Sequence, residues 1–151
     1  MITFPQFCIF VLFLVYFSID DMIRKRINSV AMVSFGAIGI YISYSGGIGL
    51  WNASAGASVA FIHIFFFMLF LREIWGVKYV IGGGDVWLLI CMGIWFGWFL
   101  VVATMFLASV LAAVYHLIIK KDSKGLPFIP FLSFAAIVVE ITMVYLTLQI
   151  I

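Results

Sequence analysis

Asp20-Asp21-Met22-Ile23-Arg24-Lys25-Arg26-Ile27-Asn28 is the first break in a chain that is otherwise almost pure hydrocarbon. Apolar runs lie on both sides of it, at 4–20 and 29–45. A charge at a bilayer centre costs roughly 2.5–3.5 kcal/mol, and less toward the interface. A charged cluster closing an apolar run therefore marks the point where a chain leaves the membrane. Working outward from it, the sequence predicts apolar helices near 4–20, 29–45, 54–71, 80–96, 98–119 and 130–151. The breaks fall at 20–28, 45–52, 72–78, Gly97-Trp98 and 120–127. The runs approach the ~20 residues a helix needs to cross and lack period-two alternation, so a barrel is not expected. The fourth and fifth runs are continuous and are divided at Gly97, because one helix of that length would overshoot the bilayer.

Composition agrees. The chain has 151 residues, 67% hydrophobic and 9% charged, with a mean hydropathy of +1.32. A soluble domain of that size has too little interior to hide so much apolar surface. The expectation is an all-α integral membrane protein, a six-helix transmembrane bundle forming one domain over 1–151. Met1–Gln6 carries no basic residue, and no small-residue cleavage site follows 7–19, so the first run reads as a permanent helix. Cys8 and Cys91 sit inside apolar runs as small hydrophobes, and without a CxxC neither a metal nor a cofactor is expected. A net charge of +2 is too small to suggest nucleic acid.

The placement of the basic residues gives the orientation. Arg24, Lys25 and Arg26 fall in the first connection, Arg72 and Lys78 in the third, and Lys120, Lys121 and Lys124 in the fifth. Six spans put all of them on one face, which the positive-inside rule makes cytoplasmic, with both termini outside. Five or seven spans would scatter them.

Asp20, Asp21 and Asp85 lie at that same face, so acids distant in sequence can meet at one membrane surface. Carboxylates about 3 Å apart cannot both ionise and share a proton. The ionised member can take a proton from water while the protonated one donates to a scissile carbonyl. Gly82, Gly83 and Gly84, just before Asp85, would let the backbone approach an extended substrate closely. Taken alone, that segment also suits a glycine turn opening a helix with an acidic cap, and Asp20-Asp21 also suits interfacial charge at a helix end.

Together these segments resemble the type IV prepilin peptidases. Asp21-Met22-Ile23-Arg24-Lys25-Arg26-Ile27 resembles their D-x-x-x-x-R-I-P-N segment. Gly82-Gly83-Gly84-Asp85-Val86-Trp87-Leu88-Leu89 resembles G-x-G-D-x-K-L, and Leu126-Pro127-Phe128-Ile129-Pro130-Phe131-Leu132 resembles P-F-G-P-F-L. The resemblance implies a G-x-G-D aspartyl protease of the bacterial inner membrane. It would cleave the basic leader of a prepilin or pseudopilin after a glycine, at the cytoplasmic face. It also implies catalytic roles for Asp21 and Asp85; periodicity alone does not choose between Asp20 and Asp21. The sequence has no CxxC loop of the kind found in the larger, methylating members, so it looks like the short Tad/Flp-type form that only cleaves. It departs from the pattern at Trp87, where Lys is usual, at Asn28, where Pro is usual, and at Ile129, where Gly is usual.

Asp20, Glu73 and Asp122 share the face of the dyad and are candidates for attracting a basic leader. Glu140, mid-span, reads as a structural acid facing the bundle, and His63 and His116 as structural polar groups. Gly36, Gly39 and Gly46-Gly47-Ile48-Gly49 suit close helix packing or a loose outer loop. Two other classes stay open. One is a non-catalytic assembly subunit of a pilus or secretion system. The other is a small proton-coupled transporter, which would want its acids at the midplane.

Overall fold

A computed structural model describes residues 3–24, 26–45, 47–75, 82–119 and 128–150, with side chains omitted at some helix ends. It is all-helical: α1 Phe4–Arg24, α2 Ser29–Tyr44, α3 Leu50–Trp75, α4 Gly83–Phe96, α5 Trp98–Ile119 and α6 Ile129–Ile150. Six helices were expected, in nearly these positions. Two windows, Phe4–Arg24 and Ile129–Gln149, are by themselves long and apolar enough to cross a membrane. The largest difference lies in α3, which runs Leu50–Trp75 against the expected 54–71; α1 also continues through Asp20 and Asp21 to Arg24, so both acids are helical.

Each boundary has a local cause. Asn28 caps α2, its Oδ1 accepting from the N–H groups of Val30 at 3.0 Å and Ala31 at 3.5 Å. Gly97 separates α4 from α5 with φ +80°, a conformation that disfavours a side chain, and its N–H donates to Gly93 O at 2.8 Å. The expected division at that residue is therefore a true helix end.

The core is built around α4. Phe10, Leu14 and Phe17 form a fully buried stripe on α1, and Phe10 packs edge-on to Phe96 with ring centroids 4.4 Å apart. Phe35 stacks on Trp95 at 5.2 Å, and the Trp95 indole N–H donates to Phe35 O at 3.0 Å. Close helix approach depends on missing side chains. A Cβ on Gly39 would lie 2.7 Å from the Trp95 ring, and one on Gly56 would run into the backbone of Gly93. Between α1 and α6, the Ser18 hydroxyl donates to Ser133 Oγ at 2.9 Å. Glu140 is 6% exposed on α6, facing inward as expected, and its Oε2 has no hydrogen-bond partner among the described residues.

Candidate active site

The end of α1 and the start of α4 meet at a cavity of about 740 Å³. Asp21 and Asp85 both line it. Asp85 is the third residue of α4, behind a Gly82 N-cap. Its Oδ2 accepts from Gly82 N–H at 3.1 Å, and its own N–H donates to Gly82 O at 3.0 Å. That is the acid-bearing half of a capping box, favoured further by the positive end of the helix dipole. Asp85 therefore has the capping role that its sequence alone allowed, and also faces the cavity.

Asp20 and Asp21 are adjacent and point in different directions, as the 100° step of a helix requires. Asp20 is 7% exposed and does not line the cavity. Its Oδ2 accepts from Asn28 N–H at 3.1 Å, and its Oδ1 lies 3.3 Å from Arg24 Nε. The expectation that Asp20 is a surface acid attracting a leader is corrected by this placement. Its carboxylate is occupied in tying the end of α1 to the start of α2, and a buried, internally satisfied acid has little left to offer a passing cation.

The three glycines divide their tasks. A Cβ at Gly84 would lie 2.7 Å from Ile27 Cδ1, so this glycine lets α4 close on the connection that Asp20 anchors. A Cβ at Gly82 would touch Asp85 Oδ2 at 3.2 Å, whereas at Gly83 it would meet nothing within 4 Å. Of the three, Gly83 has the open space that backbone approach by a substrate requires. Trp87, 63% exposed, also lines the cavity. The side chain of Glu73 and all of Asp122 lie outside the described residues, as do Leu126 and Pro127 and the side chain of His116. His63 is exposed, away from this cavity.

Sequence reasoning missed the long wall of the site. Ser29, Val33, Ala37 and Ile40 carry the cavity along one face of α2, and Cys91 continues it along α4. The spacing of three or four residues was visible, but in a segment apolar on every side it did not stand out. Arg26 also lines the cavity, a basic group beside the two acids.

A family model described as the type IV leader peptidase family matches residues 8–117. A prepilin leader peptidase/N-methyltransferase of Pseudomonas putida is 35% identical over 107 residues, covering 65% of this chain and 36% of that protein. The protein of the same name from Haemophilus influenzae is 28% identical over 94 residues, covering 62% of this chain and 41% of its own. The chain thus matches well under half the length of these relatives. No solved structure matches it significantly.

Proposed function

This chain belongs to the type IV leader peptidase family, and from that premise we propose that it is a membrane aspartic endopeptidase cleaving the basic leader of prepilin-like proteins. Asp21 and Asp85 are its catalytic pair. The observation that carries the proposal is their convergence on one cavity from the ends of two helices. Sharing one proton, such a pair supplies both a base for the attacking water and an acid for the scissile carbonyl. The water adds to the carbonyl carbon, its proton passes to the ionised carboxylate, and collapse of the tetrahedral intermediate delivers a proton to the departing amine. Gly83 offers the backbone clearance for an extended substrate segment.

The proposed setting is a multi-pass bundle of six helices in the bacterial inner membrane, with the pair at the cytoplasmic face. Large apolar side chains exposed on all six helices support it, among them Leu12, Val33, Phe66, Trp87, Phe106 and Leu148. In water so extensive an apolar surface would drive association. The distribution of Lys and Arg supports the orientation. The position of the acids at helix ends also weighs against a proton-coupled transporter.

The deciding experiment is cleavage of a synthetic prepilin-like peptide by purified protein in detergent or vesicles. Wild-type protein should release the leader, and Asp21→Asn and Asp85→Asn should not, although both remain folded. Asparagine keeps shape and hydrogen bonding but lacks the titrating proton. Cleavage by both variants would remove the proposal, and a wild-type protein that never cleaves would favour the non-catalytic assembly subunit.

A further inference from the structure

One wall of the cavity at Asp21 and Asp85 carries a charge that runs against the expected substrate. Among the described residues that line it, Arg26 is the base beside the two acids. A guanidinium repels a basic leader, so a site shaped only to attract that leader has no use for one. It suits an anion.

The connection between α1 and α2 fixes where Arg26 stands. Arg24 Nε lies 3.3 Å from Asp20 Oδ1, and Asn28 N–H donates to Asp20 Oδ2 at 3.1 Å. Asp20 thus holds the connection on both sides of Arg26. Ile27 packs against Gly84, the residue before Asp85, so closely that a Cβ there would lie 2.7 Å from Ile27 Cδ1. Adjacent Cα atoms are about 3.8 Å apart, so Arg26 starts one residue away from the contact that seats α4. Its side chain is exposed and lines the cavity, whereas Arg24 is held by Asp20 and does not line it.

Hydrolysis at the carboxylate pair would create an anion at this place. The water oxygen bonds to the carbonyl carbon, the C–N bond breaks and the departing nitrogen takes a proton. The leader is left with a new carboxyl terminus, which ionises by giving its proton to bulk water. Two carboxylates sharing a proton already carry one negative charge and disfavour another beside them. We propose that Arg26 is a product-binding residue: its guanidinium pairs with the new carboxylate of the cleaved leader and draws it off the catalytic pair. The planar fork of a guanidinium matches two carboxylate oxygens, and the uncut peptide bond offers only a single neutral carbonyl. The contact therefore strengthens only once the bond is broken. The inference rests on the peptidase reading, which puts the scissile bond at Asp21 and Asp85.

The test compares two synthetic leaders of one basic sequence ending in glycine, the first with a free carboxylate and the second with a carboxamide. Each carries a fluorophore at its amino end, and binding to the purified full chain in detergent is read by anisotropy. The free acid should bind the parent protein about fivefold tighter or more than the amide. Arg26→Gln should bring the two within about twofold by weakening the acid and leaving the amide unchanged, and Arg26→Lys, which keeps the charge without the fork, should retain part of the preference. Arg24→Gln removes the same charge two residues away and should retain all of it. The free acid should likewise be the stronger inhibitor of cleavage of an intact peptide. Equal binding of acid and amide by the parent, or a preference that survives Arg26→Gln, overturns the proposal. So does a preference lost equally in Arg24→Gln, which would assign it to general charge. Cleavage by the parent is scored separately. A protein that cleaves without preferring the acid sinks this inference alone, and one that never cleaves removes the peptidase reading and this inference with it.

Discussion

Gly84 and Ile27 meet so closely that a single added methyl group on the glycine would lie 2.7 Å from Ile27 Cδ1. This contact seats the start of α4, with Asp85 on it, against the connection that follows Asp21. Gly84→Ala should therefore lower thermal stability by roughly 1–3 kcal/mol and reduce cleavage more than binding, since the carboxylates are pushed apart. The obstacle is the end of a side chain, so Ile27→Val should restore part of the loss in a double-mutant cycle. Gly83→Ala, with nothing within 4 Å, should leave stability unchanged. Unfolding in detergent and peptide kinetics for these variants check both points.

Asp20→Ala should destabilise without removing activity per folded molecule. It leaves Asn28 N–H without its acceptor, at a cost of about 1–3 kcal/mol, and frees Arg24, whose exposed pairing adds little. Asp20→Asn, which keeps an acceptor, should be milder. An inactive but fully folded Asp20→Asn beside an active Asp21→Asn would move the catalytic role by one residue.

Gly56→Ala and Gly93→Ala should be the most damaging glycine changes. Each would drive a methyl group into backbone of the facing helix, which cannot rotate aside as a side chain can. Losses of about 3 kcal/mol or more are expected, read as failure to recover folded protein or as a large drop in unfolding temperature.

Glu140→Gln and Glu140→Leu should both keep cleavage, and Glu140→Leu should be at least as stable as the parent. The buried Oε2 has no hydrogen-bond partner among the described residues, so an apolar group of similar size removes a desolvation cost. Loss of cleavage in Glu140→Gln would instead give this acid a functional part.

A reporter fused after Ile151 should read periplasmic, because six spans with every Lys and Arg in alternate connections return the chain to the outer face. A cytoplasmic reading would break the six-span topology.

The helices and the division at Gly97 were legible because charge clusters and glycines punctuate an otherwise apolar chain. That Asp21 and Asp85 line one cavity was legible from their positions at helix ends together with the resemblance around them. The buried stripe Phe10, Leu14, Phe17 and Asp20 was not, since lipid-facing neighbours such as Leu12 and Ile19 are as apolar as the core. Without polar outer faces the helical period has no contrast to reveal it. The separate duties of Asp20 and Gly84 depend on contacts across elements, with Asn28 and Ile27, that no local pattern announces.

α2 and α4, which line the cavity at Asp21 and Asp85, are the shortest of the six helices, 16 and 14 residues against 21 to 26 in the others. At 1.5 Å per residue α4 spans about 21 Å, well short of a hydrocarbon core near 30 Å. On the membrane reading, one flank of the bundle is too thin for its surroundings, and lipid must pinch inward there to meet it. Headgroups and their water are thereby drawn down beside the carboxylates. If the chain is the proposed peptidase, acyl-chain length becomes a control on hydrolysis, with thick bilayers starving the reaction of water and thin ones supplying it.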